Sequence, residues 1–163
     1  MPDAKNKTNE TVENINFYDG FQKVTVNSDP NRVIQWNPLD ISFVDRFLAF
    51  QSWVENEFTA KVKALDIDKA KDIDSYQQGI FTELGNELNN AIDGMFQSKV
   101  SDTAFAGVNP ISPMSDGNLL FMNFLNALMP LINKSVKEFE DARKKYTAVA
   151  TRKSSTNPAF KKP

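Results

Sequence analysis

The sequence predicts a mainly α-helical chain: a three-helix, bundle-like body with a small β-hairpin or meander at its N-terminus and disordered termini. Three observations carry that expectation. Residues 38–65 and 118–149 repeat large apolar side chains at steps of three and four, the period of a helix with one apolar face. Residues 74–96 do the same with smaller side chains. Residues 15–36 instead alternate apolar and polar positions between turn residues, the pattern of short strands.

At 163 residues the chain is expected to form one domain, burying roughly two-thirds of its unfolded surface. That domain is placed at 15–149, after a polar, disordered segment at 1–14 and before a flexible basic tail at 150–163. There is no cysteine, which excludes disulfides, thiolate metal sites and cysteine nucleophiles. There is no histidine either, which removes the commonest general base and transition-metal ligand. No paired carboxylates, phosphate loop or nucleophile–base set stands out. The expectation is a non-enzymatic protein with no catalytic residues, no cofactor and no metal.

Met1 is followed by Pro-Asp-Ala-Lys-Asn-Lys, with no apolar core of a signal peptide. The longest apolar run, near Leu119 to Leu125, is interrupted by Asn123, Asn126 and Pro130 and is too short to span a bilayer. A soluble, intracellular protein without a membrane partner is expected. The Asn-x-Thr triplets at Asn6 and Asn9 match a glycosylation pattern by chance. From Lys134 onward the chain carries nine Lys or Arg and three acids, net +6, against net −8 before it. Without interleaved aromatics, that basic end reads as a solvated helix terminus rather than a nucleic-acid platform.

Two or three short strands are expected within 15–36. Ile15, Phe17 and Phe21, then Val24 and Val26, alternate with polar residues, and Arg32 to Trp36 is a third β-like run. Asp19-Gly20 and the cluster at 27–31 supply turns. The first helix, 38–65, has Asn37 as cap, Pro38 at its first position and Asp40 in its first turn. Its stripe is Phe43, Phe47, Phe50, Val54, Phe58, Val62 and Leu65, with Leu48 and Trp53 beside it. Residues 66–74 mimic a calcium loop but place Lys71 where glycine belongs and Gln77 where glutamate belongs, so they read as a linker.

The second helix, 74–96, takes Asp74 as cap with Gln77 as its capping-box partner. Its stripe is Tyr76, Ile80, Leu84, Leu88, Ile92 and Met95 or Phe96. Gly79 and Gly85 allow close approach of a neighbour, and Gly94 is a terminator. Residues 97–117 hold two prolines and two glycines, so they form a connection, from which Phe105 plugs the core on a short helical turn. The last helix, 118–149, begins at Asp116, Gly117 or Asn118. Phe121, Leu125, Leu128, Ile132, Val136, Phe139 and Tyr146 form its stripe, with a kink or break at Pro130. Its first half is apolar nearly all round. Leu119, Leu120, Met122, Phe124 and Met129 lie off the stripe and are the expected partner-binding residues, laying a groove against amphipathic helices. Met114, Met122 and Met129 add adaptable contacts.

This order of elements carries a resemblance. A strand-like N-terminus precedes an acid-capped aromatic helix. A second helix ends Ala91-Ile-Asp-Gly-Met-Phe96, a Thr103-Ala-Phe-Ala-Gly107 turn follows, and then an Asn/Phe/Leu helix with a charged end. Across 37–146 it resembles the tail-assembly chaperones of long-tailed phages and prophages of Gram-positive bacteria. In that family the helix often ends in an Ile-Asp-x-x-Phe-Gly type segment, with a Phe-Gly turn about ten residues later; here Gln97 stands where a glycine is usual and Ala106 interrupts the second Phe-Gly. The resemblance implies a holdase that binds the tape-measure protein and promotes assembly of tail-tube protein around it, with self-association as a further partner, in the host bacterial cytoplasm. The alternative is a structural virion subunit, a tail or connector component whose N-terminal strands pair between copies.

Overall fold

The computed structural model describes residues 12–64 and 76–155. Among these residues it is mainly helical with a single β-hairpin, as the periodicities require. Strand β1 (Gln22–Val26) pairs antiparallel with β2 (Asp29–Trp36), with a bulge between Thr25 and Val26. The turn between them is Asn27-Ser28, both at positive φ (52° and 61°). That is the two-residue geometry whose twist matches the strands. Residues 15–21 are not a strand. They run unpaired in front of β1, so the alternation of Ile15, Phe17 and Phe21 produces no third strand.

One face of the hairpin is apolar. Ile34 and Trp36 are buried, Val24 and Val26 half-buried, and the intervening side chains are solvated. Arg32 shares the inner face. Its Nε donates to Thr103 O (3.0 Å) and its Nη2 to Ala104 O (2.6 Å), which seats the hairpin on the C-terminal carbonyls of a short helix.

The first helical rod has three parts: α1 (Ile41–Trp53), a π-helical turn (Val54–Phe58) and α2 (Thr59–Ala64). Asp40, not Asn37, is its cap: the carboxylate accepts from Ser42 N at 2.9 Å. Asn37 makes its own turn three residues earlier, accepting from Leu39 N at 2.9 Å. The π turn was not expected from the stripe. Val54 O accepts from both the backbone N–H and the hydroxyl of Thr59, the latter at 2.7 Å, which closes the wider ring.

Helix α3 (Tyr76–Phe96) buries Leu84, Leu88, Ile92, Met95 and Phe96. The expected cap Asp74 and the linker at 66–74 lie outside the described residues, as does the Tyr76 side chain. Gly94 is not the terminator. The helix passes it and ends on Gln97 in the left-handed region (φ 56°), with Ser98 N returning to Asp93 O at 3.2 Å. Gly85 does admit a neighbour: a Cβ there would sit 2.5 Å from Asn109 Oδ1, whereas Gly79 has nothing within 4 Å.

Helix α4 (Val100–Phe105) is the short turn expected around Phe105, which is buried. Asp93 serves as its N-terminal acceptor from the preceding helix, taking Ser101 N at 2.8 Å, with Lys99 3.3 Å away. Helix α5 (Leu120–Ser155) begins after, not at, residues 116–118. Its first N–H groups go to the connection: Leu120 N to Ser112 O (2.9 Å) and Phe121 N to Pro110 O (2.9 Å). The helix runs unbroken through Pro130, an exposed position where the orphaned carbonyl four residues earlier can face solvent. It also continues past 149, so residues 150–155 are helical rather than part of a loose tail. Tyr146 does not belong to the buried stripe; it is 76% exposed, and every residue from 141 to 152 faces solvent.

The core is a chain of aromatic contacts between elements. Phe96 meets Trp36 edge-on (6.1 Å) and Phe43 tilted (5.6 Å). Phe58 bridges Trp53 (5.1 Å) and Phe121 (5.8 Å), and Phe105 meets Phe124 (5.5 Å). Each such ring buries a large apolar area, and the edge contacts add about 0.5–1.5 kcal/mol apiece.

Candidate functional site

The rod and α5 run antiparallel, since Ile41 shares a depression with Phe139 while Phe58 packs on Phe121. Two depressions lie along this pair, one apolar and one of mixed character. The first, about 350 Å³, is bounded by Val54, Phe58 and Val62 on the rod and by Leu119, Met122 and Leu125 on α5. The second, about 590 Å³, is lined by four apolar residues, Ile41, Val44, Val136 and Phe139, and by four charged ones, Asp45, Glu140, Arg143 and Lys144.

They belong to one side of α5. Met122, Met129 and Val136 are spaced by heptads, as are Leu125, Ile132 and Phe139, so each set keeps nearly the same face along the helix. On α1 the heptad neighbour of Ile41 is Leu48. Ile41 is 70% exposed, Leu48 55% and Met122 42%. The result is an apolar seam along two antiparallel helices, ending where α5 leaves the body.

The five residues expected to bind a partner do not form one groove. Leu119 and Met122 line the first seam depression. Leu120 and Phe124 face the opposite flank, in a third apolar groove of about 240 Å³ between β1, α4 and α5. Met129 lies between the two seam depressions by its heptad position. All but Met122 are half-buried against the core. Ile41, Val44 and Leu48 complete the seam and were not anticipated as contacts. The signal for them was available: Ile41 and Leu48 fall outside the phenylalanine stripe at the same seven-residue spacing.

The loop that delivers α5 is held by polar contacts. Asn123 Nδ2 donates to Asp116 Oδ2 (2.7 Å), Asn118 N donates to Asp116 Oδ1 (3.0 Å), and Asn118 Nδ2 donates to Asn123 Oδ1 (3.0 Å). The Asn118 N–H, then the Asn123 amide, hold the Asp116 carboxyl below its ordinary value. Asp40 is lowered as well, first by its hydrogen bond from Arg46. Both are structural acceptors, on different elements. A polar cleft of about 270 Å³ between α3 and the connection has Asp102 as the one ionisable group among its lining residues. Among the described residues no cluster of three or more acids could hold a metal ion, and no helix is long and apolar enough to cross a membrane. Comparison with known protein families, curated proteins and solved structures finds no match.

Proposed function

We propose that this chain is a non-enzymatic assembly chaperone that holds an amphipathic helical protein along the seam between its first helical rod and α5. The carrying observation is the seam itself: an apolar depression and a mixed one on one face of an antiparallel helix pair, lined by exposed Met122 and Ile41 respectively, with exposed Leu48 one heptad on from Ile41. An amphipathic helix laid there would bury its own apolar stripe and cover these side chains. The two methionines on the line suit a holder of varied sequence, because an unbranched thioether adapts to different knobs. The charged half of the second depression leaves polar groups for a partner's solvated flank.

The resemblance to tail-assembly chaperones supplies the partner's identity: a phage tape-measure protein, with tail-tube protein joining later, in the cytoplasm of a bacterial host. Two local features favour that likeness. The positions where the family has Phe-Gly turns are Gln97 and Ala106, and both adopt the left-handed conformation that glycine accommodates best. The test is co-expression with a long helical tape-measure candidate. Solubilisation is expected with the native chain and lost with I41D/L48D/M122D, whose altered positions are solvent-facing and leave the body folded. A candidate that stays equally soluble with and without this chain sinks the reading. The second reading, a structural virion subunit, is favoured by the exposed N-terminal segment and predicts rings or tubes without any other protein.

A further inference from the structure

We propose that residues 12–21 are an arm that binds a second copy of this chain, adding a strand to the free edge of β1 and burying Ile15 and Phe17 in the groove between β1 and α5. The arm leaves its apolar side chains in water: Val12 is 91% exposed, Ile15 83%, Phe17 77% and Tyr18 85%. Five large apolar residues in ten, all exposed when Phe21 (51%) is included, are more than an isolated surface segment would carry.

The root of the arm is built rather than loose. Gly20 is buried at φ +77°, and a Cβ there would sit 3.0 Å from the Asn37 amide oxygen. Asn37 Nδ2 donates to Asp19 O at 2.9 Å, and Phe21 N donates to Asp19 Oδ1 at 3.1 Å. These bonds tie the root to the exit of β2, at the open end of the hairpin. The receiving groove is lined by Val24 to Asn27, towards the turn end, and no residue of 12–21 lines it.

The receiving site has what the arm lacks. Val24, Val26, Phe105, Phe124 and Leu131 line it, and Thr25 stands at its lip. Among the described residues strand β1 has β2 on one edge and no strand on the other; Lys23 is its one charge, and Val24-Thr25-Val26, the stretch along the groove, carries neither proline nor charge to discourage pairing. A two-stranded hairpin gains from a third strand. The arm suits that role because Ile15 and Phe17 fall on one face of an extended segment. Reciprocal exchange closes a dimer, while one-way donation continues into a ring or helical array.

The absence of native cysteine makes the test clean. Full-length N16C and T25C chains, which place both thiols on the outer face of the paired strands, are expected when mixed and oxidised to form the N16C–T25C disulfide-linked pair, well above N16C with a T147C control at the far end of α5. Sedimentation of the native chain is expected to show an assembly that I15D/F17D weakens by about a hundredfold or more, with unchanged thermal unfolding of the body. A native chain that stays monomeric at high micromolar concentration overturns the proposal. So does an assembly indifferent to I15D/F17D, or a doubly substituted N16C/T25C chain that closes its disulfide within one monomer. None of these outcomes depends on the helical partner, so failure here leaves the chaperone reading standing.

Discussion

Arg46 donates its Nε–H to the backbone carbonyl of Met95 at 2.9 Å, closing the end of α3 from the side of α1. The same guanidinium reaches Asp40, the cap of α1, at 2.7 Å. One side chain thus satisfies a helix C-terminus and steadies a helix N-terminus. Arg46→Ala is expected to lower stability by about 1–2 kcal/mol, because a terminal carbonyl loses a charged donor and the cap loses its partner. Arg46→Lys should recover only part, since a point ammonium cannot fork to both acceptors. Urea unfolding of the three proteins measures this.

Asp40 makes part of that stability pH-dependent. Its carboxyl titrates below its ordinary value of 3.8, chiefly because Arg46 hydrogen-bonds the charged form, aided by the Ser42 N–H and by the Arg46 charge against a desolvation that opposes them. A depressed folded pKa means the contribution is present above the unfolded pKa and lost as pH falls through the folded one. The native protein should therefore lose more stability than Asp40→Asn below about pH 4. Asparagine keeps the cap's acceptor without its charge. Denaturant midpoints across the acid limb give the comparison. Equal acid sensitivity of the two would show that the Arg46 contact is inconsequential.

Two helices end on residues that glycine would suit better. Ala106 closes α4 at φ 50° and Gln97 follows α3 at φ 56°. A left-handed non-glycine residue costs about 1–2 kcal/mol, and glycine returns some of that through the greater freedom of its unfolded chain. Ala106→Gly should raise stability by about 0.5–1 kcal/mol. Gln97→Gly should gain less, because the Gln97 amide donates to Gly94 O at 2.7 Å and that bond would be lost. The readout is the unfolding midpoint.

Glycines inside α3 should separate by what they touch. A helical Gly→Ala change ordinarily gains up to about 1 kcal/mol, and Gly79 and Gly94, with nothing within 4 Å of a built Cβ, should follow that rule. Gly85→Ala should destabilise instead. Its methyl would press on the Asn109 amide, which is fixed by bonds to Phe81 O (2.9 Å) and from Ile111 N (3.1 Å). Releasing Asn109 would also loosen the connection that leads into α5. Calorimetric midpoints of the three variants decide whether the Asn109 contact is rigid.

The three apolar stripes and the β-hairpin were readable because each depends on a local period. Phe43, Phe58, Leu88 and Leu128 are buried as their spacing requires. What escaped depends on partners distant in sequence. The cap of α1 moved from Asn37 to Asp40 because Asn37 is engaged with Asp19 and Leu39. The stripe of α5 ends at Phe139, since no element of the described body reaches Tyr146. Ile15 and Phe17 alternate like a strand but find no edge within their own chain. The seam was half legible: Met122 stood out, whereas Ile41 and Leu48 gain meaning only once α1 lies antiparallel to α5.

The π turn could have been read. Phe50, Val54, Phe58 and Val62 follow one another in three consecutive steps of four, and each overshoots a helical turn by about 40°. Unaided, the stripe would wander about 120° round the rod; one inserted residue turns it back by about 100°. Before the turn Phe43 grips α3 through Phe96, and at its last residue Phe58 grips α5 through Phe121. A uniform cylinder aligned to one neighbour would point away from the other. The extra residue acts as a gear offset between two meshing partners, and removing a single residue from 54–58 would force the rod to disengage from one of them.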